Sequence, residues 1–197
     1  MRLVVVLVTL LAALAIPAGL LLAHGNDEAD FRGSQPAALL MLPVFSLEDD
    51  EGREVRSAEL RGKAVAVTFL DVQCTEACPI IAAQVGQAMR ALGDDKSRVE
   101  ALAISVDPVR DTAVGIDAFL RRHRAKGELR YLDGTVAELR PVWTGFSVLS
   151  AHDTGESNMH SAPVRVYDVE GRWRSTLHSG VDLTPANLAH DLRLASG

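Results

Sequence analysis

Residues 64–79 read AVAVTFLDVQCTEACP. The first seven form an uncharged run of strand length, rich in β-branched and aromatic residues, with Thr68 as its only polar member. A run of this kind fits a strand buried on both faces. Two cysteines follow, four residues apart, and then Pro79, which is well tolerated in the first turn of a helix. The periodicity predicts that helix over 80–92. Working outward, 99–106 reads as a second buried strand that Pro108 ends. An amphipathic helix over 112–124, apolar at Val114, Ile116 and Phe119-Leu120, comes next, with Asp111 or Thr112 as its cap. A short strand at 129–132 and a helix at 136–142, disturbed by Pro141, continue the alternation. Hairpins are expected at 45–56, turning at 49–52, and at 164–177, turning at Glu170-Gly171. A helix over 188–194 closes the chain. This pattern predicts an α/β domain with a central mixed sheet and helices on both faces.

Composition narrows the function. The chain has 197 residues, is 48% hydrophobic and carries 20 Lys+Arg against 26 Asp+Glu, a formal charge of −6. That length and balance suit one folded domain and exclude a disordered chain. An acidic chain lacks the basic footprint that nucleic-acid partners demand. Two cysteines are too few for a disulfide-stapled scaffold or an all-cysteine zinc site.

The chain opens with Arg2 ahead of an uncharged, mostly apolar stretch at 3–23. As a helix this would reach roughly 32 Å, enough for a bilayer core of about 30 Å. Residues 1–25 read as a membrane anchor or signal segment and 26–40 as a polar linker. The domain then occupies 41–197. Either form of the leading segment sends the domain to the extracytoplasmic, periplasmic side, where disulfides persist.

Cys74 and Cys78 lie between the first core strand and its helix, the arrangement found in thioredoxins. Three readings of the pair stand side by side: a structural disulfide or buried thiols, a redox-active dithiol, and a soft-metal site. In a regular helix their Cβ atoms are about 5–6 Å apart, long for a disulfide but suitable for gripping one ion. With Cys74 in the loop and Cys78 in the first turn, a disulfide is open as well. Nearby helix N–H groups favour thiolate, and thiolates select Cu(I). Of the six histidines, His24, His123 and His190 read as surface and His152 has no clear place. His160 and His178 fall on the rim where loops gather, because a hairpin about Glu170-Gly171 brings Pro163 opposite His178.

Three segments in order, Cys74-Thr-Glu-Ala-Cys78-Pro79, Ser105-Val-Asp-Pro-Val-Arg-Asp-Thr112 and His160-Ser161-Ala162, resemble the SCO/SenC family. Its members are membrane-tethered, thioredoxin-like copper chaperones for cytochrome c oxidase. The resemblance covers roughly 40–195 and implies a thioredoxin-like fold. It also implies copper, held as Cu(I) by Cys74, Cys78 and His160. Its implied partner is the copper-binding subunit of the oxidase, whose dinuclear site would receive the ion, with a thiol reductant or second copper chaperone as a further partner. On this reading the protein is a carrier rather than an enzyme. The alternative is a thiol–disulfide reductase in which Cys74 attacks and Cys78 resolves. A peroxidase of the peroxiredoxin type is disfavoured, since Asp71 stands where that chemistry needs threonine. The chain departs from the family at Asp71-Val72, where an aromatic and a threonine are usual. It departs again at Thr75-Glu76-Ala77 and at Met159, which replaces an aspartate. Met159 is either a gap-filler or another soft ligand.

Overall fold

The computed structural model describes residues 30–156, 160 and 162–197. The anchor or signal expected at 1–25 lies outside the described residues, as do the first residues of the linker. None of the described helices is long and apolar enough to cross a membrane. The chain divides into Met1–Asp30 and Phe31–Gly197, and the strands and helices that follow belong to the second unit.

Seven strands, β1 (Ser46–Asp49), β2 (Glu54–Arg56), β3 (Ala64–Leu70), β4 (Val99–Ser105), β5 (Arg130–Asp133), β6 (Val164–Tyr167) and β7 (Trp173–Leu177), form one sheet in the order β2-β1-β5-β4-β3-β6-β7. Strands β3, β4 and β5 are parallel neighbours, and the flanking pairs are antiparallel. The sheet is therefore mixed, as expected. Among the described residues there are also five α-helices, α1 (Ala77–Ala91), α2 (Ala113–Arg122), α3 (Val136–Gly145), α4 (Ala151–Thr154) and α5 (Pro185–Ala195), and two short 3-10 helices at Ser57–Leu60 and Gly93–Arg98.

All seven residues of β3 are buried, which is why its sequence does not alternate. Its two faces nevertheless differ. Ala64, Ala66 and Leu70 face α1, α2 and α5, whereas Val65, Val67 and Phe69 face α3. On β4, Ala101 and Ala103 join the three-helix side while Leu102 and Ile104 join the other. Alanines on the side with more helices let those helices approach the sheet closely.

Helix α3 continues through Pro141 to Gly145, longer than the proline suggested. Its start is fixed by a capping box in which Thr135 and Glu138 satisfy each other's backbone N–H. Helix α5 begins earlier than expected because Thr184 caps it with Pro185 at its first position. The one-turn helix α4 escaped sequence reading, being too short to show periodicity. The β6–β7 register runs as expected from Val164↔Leu177 to Val166↔Ser175, then slips at an irregularity beside Tyr167.

Both outer hairpins turn on the same five-residue plan, Asp49-Asp-Glu-Gly-Arg53 and Asp168-Val-Glu-Gly-Arg172. In each, the buried first aspartate accepts the N–H groups two and four residues on and the Nε–H of the closing arginine. The glycines, at φ +77° and +78°, take the left-handed conformation that costs other residues. Burial by itself would raise the Asp49 carboxyl, but the Arg53 N–H and the surrounding donors outweigh it and bring it down to about 2.

Residues 31–41 lie along β7. Ser34 bridges Thr176 and Met41 bridges Arg172. Buried Asp191 of α5 accepts Arg32 N–H (2.7 Å), Gly33 N–H (3.1 Å) and Ser175 Oγ–H (2.6 Å). Gly33 passes so close that a Cβ there would stand 2.6 Å from the Thr176 carbonyl oxygen. Asp191→Ala would leave three donors without their acceptor. We expect a loss of about 2–3 kcal/mol, read as a lower urea midpoint at unchanged slope. An unchanged midpoint would show that this tie is not stabilising.

Candidate metal centre

The parallel strands β3 and β4 end on the same rim, the usual place for sites in α/β sheets. The loop after β3 carries Cys74, and α1 begins at Ala77, so Cys78 sits in its first turn. Both thiols are free and buried, Cys74 at 4% exposure and Cys78 at 0%. Strand β6 pairs antiparallel with β3, which brings the segment before Val164 back over the same rim. That return places His160 Nε2 at 3.2 Å from Cys78 Sγ. One ligand atom from each of Cys74, Cys78 and His160 lies within 4.8 Å of the others. Ligands held about 2.0–2.3 Å from an ion stand in this range from one another. Among the described residues no other group of three His, Cys, Asp or Glu is so placed.

The electrostatics of the two sulfurs are unequal. Helix α1 starts without a side-chain oxygen cap. The Cys74 sulfur receives a hydrogen bond from the Cys78 thiol, and also the backbone N–H groups of Cys78 and Glu76 and the His160 ring. These outweigh burial and lower the Cys74 thiol from 9.0 to about 4. Cys78 moves the other way. It is the proton donor to Cys74, it is buried, and it feels the charges of Cys74 and Asp71. The pair thus holds one thiolate, on Cys74, and one proton, on Cys78.

The segment Ser105–Thr112 reads from sequence as a joint between strand and helix, and Thr112 does cap α2. Its larger part is played by Asp111, 3% exposed. This carboxylate accepts Val72 N–H from the cysteine loop (3.0 Å), Ser105 Oγ–H from β4 (2.7 Å) and Tyr131 Oη–H from β5 (2.7 Å). It ties the cysteine loop to two strands. Burial pushes its carboxyl from 3.8 up to about 7, against those hydrogen bonds. Arg110 pairs with Asp107 and lies 3.8 Å from Asp71. Sequence reading named Asp111 only as a cap and missed Tyr131, because neither position carries a signal of its burial.

The other histidines among the described residues stand apart from this cluster. His178 is exposed and lines a cavity of about 310 Å³ with Pro163, Arg165 and Trp173. His152 lies in α4, its N–H bonded to Val106. His123 packs on Phe119 and His190 belongs to α5. Met159 lies outside the described residues.

A family model described as SCO1/SenC matches residues 34–195. The chain belongs to the SCO1/SenC family. Among its solved relatives is ScoI of Bradyrhizobium japonicum, a structure with copper bound. That relative is 30% identical, with a TM-score of 0.67 over 79% of this chain and 99% of the other. The apo Sco1 solution structure from Thermus thermophilus is 21% identical, with a TM-score of 0.68 over 85% and 98% of the two chains. It shares the fold. The SCO2-like protein of Rickettsia conorii is 24% identical over 155 residues, 76% of this chain and 74% of that one. The α/β fold of this SCO1/SenC member matches the thioredoxin-like structures of the family.

Two outcomes follow from these charges. Iodoacetamide on the reduced protein should alkylate Cys74 with a rate inflection near pH 4, far below the about 8.5 of a free thiol, and should spare Cys78. An inflection near the free-thiol value would overturn the assignment of the thiolate. For Asp111, only the folded state keeps the proton between about pH 4 and pH 7, so its contribution to stability is present below that window and lost as pH rises through it. The stability of Asp111→Asn relative to wild type should therefore improve from pH 4 to 7 in urea unfolding. A pH-independent difference would contradict this.

Proposed function

We propose that this SCO1/SenC protein is a copper carrier that takes Cu(I) as cargo on Cys74, Cys78 and His160. The convergence of two sulfurs and one imidazole nitrogen within 4.8 Å carries this reading. Two thiolates suit a soft monovalent ion, and imidazole completes the set. Copper loading removes the remaining proton from Cys78, so binding is coupled to proton release. Three ligands leave one side of the ion open to an incoming thiolate. As the new copper–sulfur bond forms, a bond to one of the carrier's sulfurs breaks. Cys74 is the candidate for that exchange, being the less buried of the two. The recipient we propose is the copper-binding subunit of cytochrome c oxidase, at its dinuclear site. We further place the domain on the periplasmic side, tethered through residues 1–25. Oxidation of the pair to a disulfide removes both thiolates and with them the ability to hold Cu(I).

The asymmetry of the sulfurs supports a second reading, thiol–disulfide exchange. The Cys74 thiolate attacks a partner disulfide and releases one partner thiolate. Cys78, once deprotonated, attacks the mixed disulfide, releasing the second partner thiolate and leaving Cys74–Cys78 oxidised. This chemistry does not need the imidazole, whereas copper binding does.

Anaerobic titration of the reduced protein with Cu(I) against a competing chelator separates the two. One equivalent should bind, and Cys74→Ser, Cys78→Ser and His160→Ala should each weaken binding at least tenfold (about 1.4 kcal/mol). A His160→Ala protein that keeps wild-type copper affinity would refute the three-ligand carrier. One that loses copper but still reduces a model disulfide would fit both activities on one site.

A further inference from the structure

Asp71 is fully buried directly after β3, three residues before Cys74. Its backbone serves both sulfur-bearing residues. The carbonyl accepts Cys74 N–H at 3.1 Å, and its N–H donates to the Cys78 sulfur. In the side chain, Oδ1 accepts Gln73 N–H at 2.7 Å. Oδ2 is enclosed and has no hydrogen-bond partner among the described residues. Arg110 Nη2 faces it at 3.8 Å, beyond hydrogen-bond length, while Arg110 is held more closely by Asp107. A buried carboxylate with one oxygen left unbonded is costly and calls for a compensating charge. Arg110 supplies part of that charge, and the Cys78 sulfur also feels the Asp71 carboxylate, so a cation held in the cysteine–histidine cluster lies within reach of it.

The attraction between a fixed negative charge and a bound cation scales with the charge of the cation. A divalent ion gains twice what a monovalent ion gains. The two thiolates favour the softer, monovalent ion, so the carboxylate behind them acts in the opposite sense. We propose that Asp71 is a specificity-determining residue that biases the Cys74–Cys78–His160 site toward Cu(II) relative to Cu(I). Arg110 is its counterweight: its positive charge offsets part of that bias. The inference rests on the copper reading above and adds to it a role for a residue outside the ligand set.

The experiment compares the reduced wild-type protein with Asp71→Asn and Arg110→Met. Cu(I) affinity is measured by chelator competition, and the one-electron midpoint potential is measured on the copper-loaded protein. Asparagine keeps a carbonyl oxygen for Gln73 N–H, so the loop retains its hydrogen bond. Asp71→Asn should lower the ratio of Cu(II) to Cu(I) affinity roughly tenfold, which raises the midpoint by about 59 mV. Arg110→Met should move the midpoint the other way. An unmoved midpoint in Asp71→Asn, with both ions unchanged or equally weakened, would overturn the proposal and leave the carrier reading intact. Should Asp71→Asn fail to fold, Arg110→Met decides alone, and a rise or no change there sinks the proposal. A wild-type protein that binds no copper would overturn both readings.

Discussion

The centre depends on a helix that begins without an oxygen to cap it. Where α2, α3 and α5 each close their first turn with a threonine hydroxyl, α1 directs the N–H groups of Glu76 and Cys78 at the Cys74 sulfur. Partial positive charge at a helix start favours an anion there. The Cys78 thiol's hydrogen bond, these N–H groups and the His160 ring together keep the Cys74 sulfur as thiolate, and Cys78, in the first turn of the helix, keeps the proton. Burial of β3 on both faces fixes where that helix can start, since the strand leaves no freedom in its register. The pairing of β6 with β3 then decides which loop returns over the rim, and so which histidine reaches the sulfurs.

Much of this is visible in the chain itself. The uncharged run at 64–70 announces a strand covered on both sides, and the cysteine spacing with Pro79 announces the helix start. The hairpin arithmetic about Gly171 put Pro163 opposite His178, and the register agrees over 164–166. His160 could be preferred to His178 only through the family resemblance, because both are loop residues of one rim by pattern alone. Asp111 and Tyr131 were not legible in their true roles. Each depends on partners 20 or more positions away, Val72 and Tyr131 for Asp111 and Leu70 and Asp111 for Tyr131, and nothing local distinguishes a buried aspartate from a surface cap. Asp71 appeared in the sequence as a departure from the family, but its enclosure appears only with the fold. Helix α3 shows the converse limit: Pro141 weighs against the helix locally, while the capping box and the packing of Leu139, Val142 and Trp143 carry it through.

The surroundings of the sulfurs are more acidic than a simple thiol site requires. Asp71, Asp107 and Asp111 are all buried, and among the described residues Arg110 is the guanidinium paired with Asp107 and facing Asp71. Such an arrangement disfavours a second thiolate when the site holds no cation and favours the cation when one arrives. It makes proton and metal competitors for Cys78. The same carboxylates hold the loops in place, so the charge balance of the rim and its shape are not independent variables.

The two Asp-x-Glu-Gly-Arg turns differ in one place only, and that place decides whether they could trade positions. Asp50 reaches beyond its own hairpin to the Tyr131 N–H and the Lys126 ammonium. Val169 in the matching seat has no polar arm. A transplant of the first cassette onto the second edge sacrifices little more than a half-buried isopropyl group. The reverse graft removes the Asp50 ties to the Tyr131 N–H and Lys126, leaving Asp49 and Arg130 to hold β5 to the turn. Equivalent in backbone design, the two corners are exchangeable in one direction only.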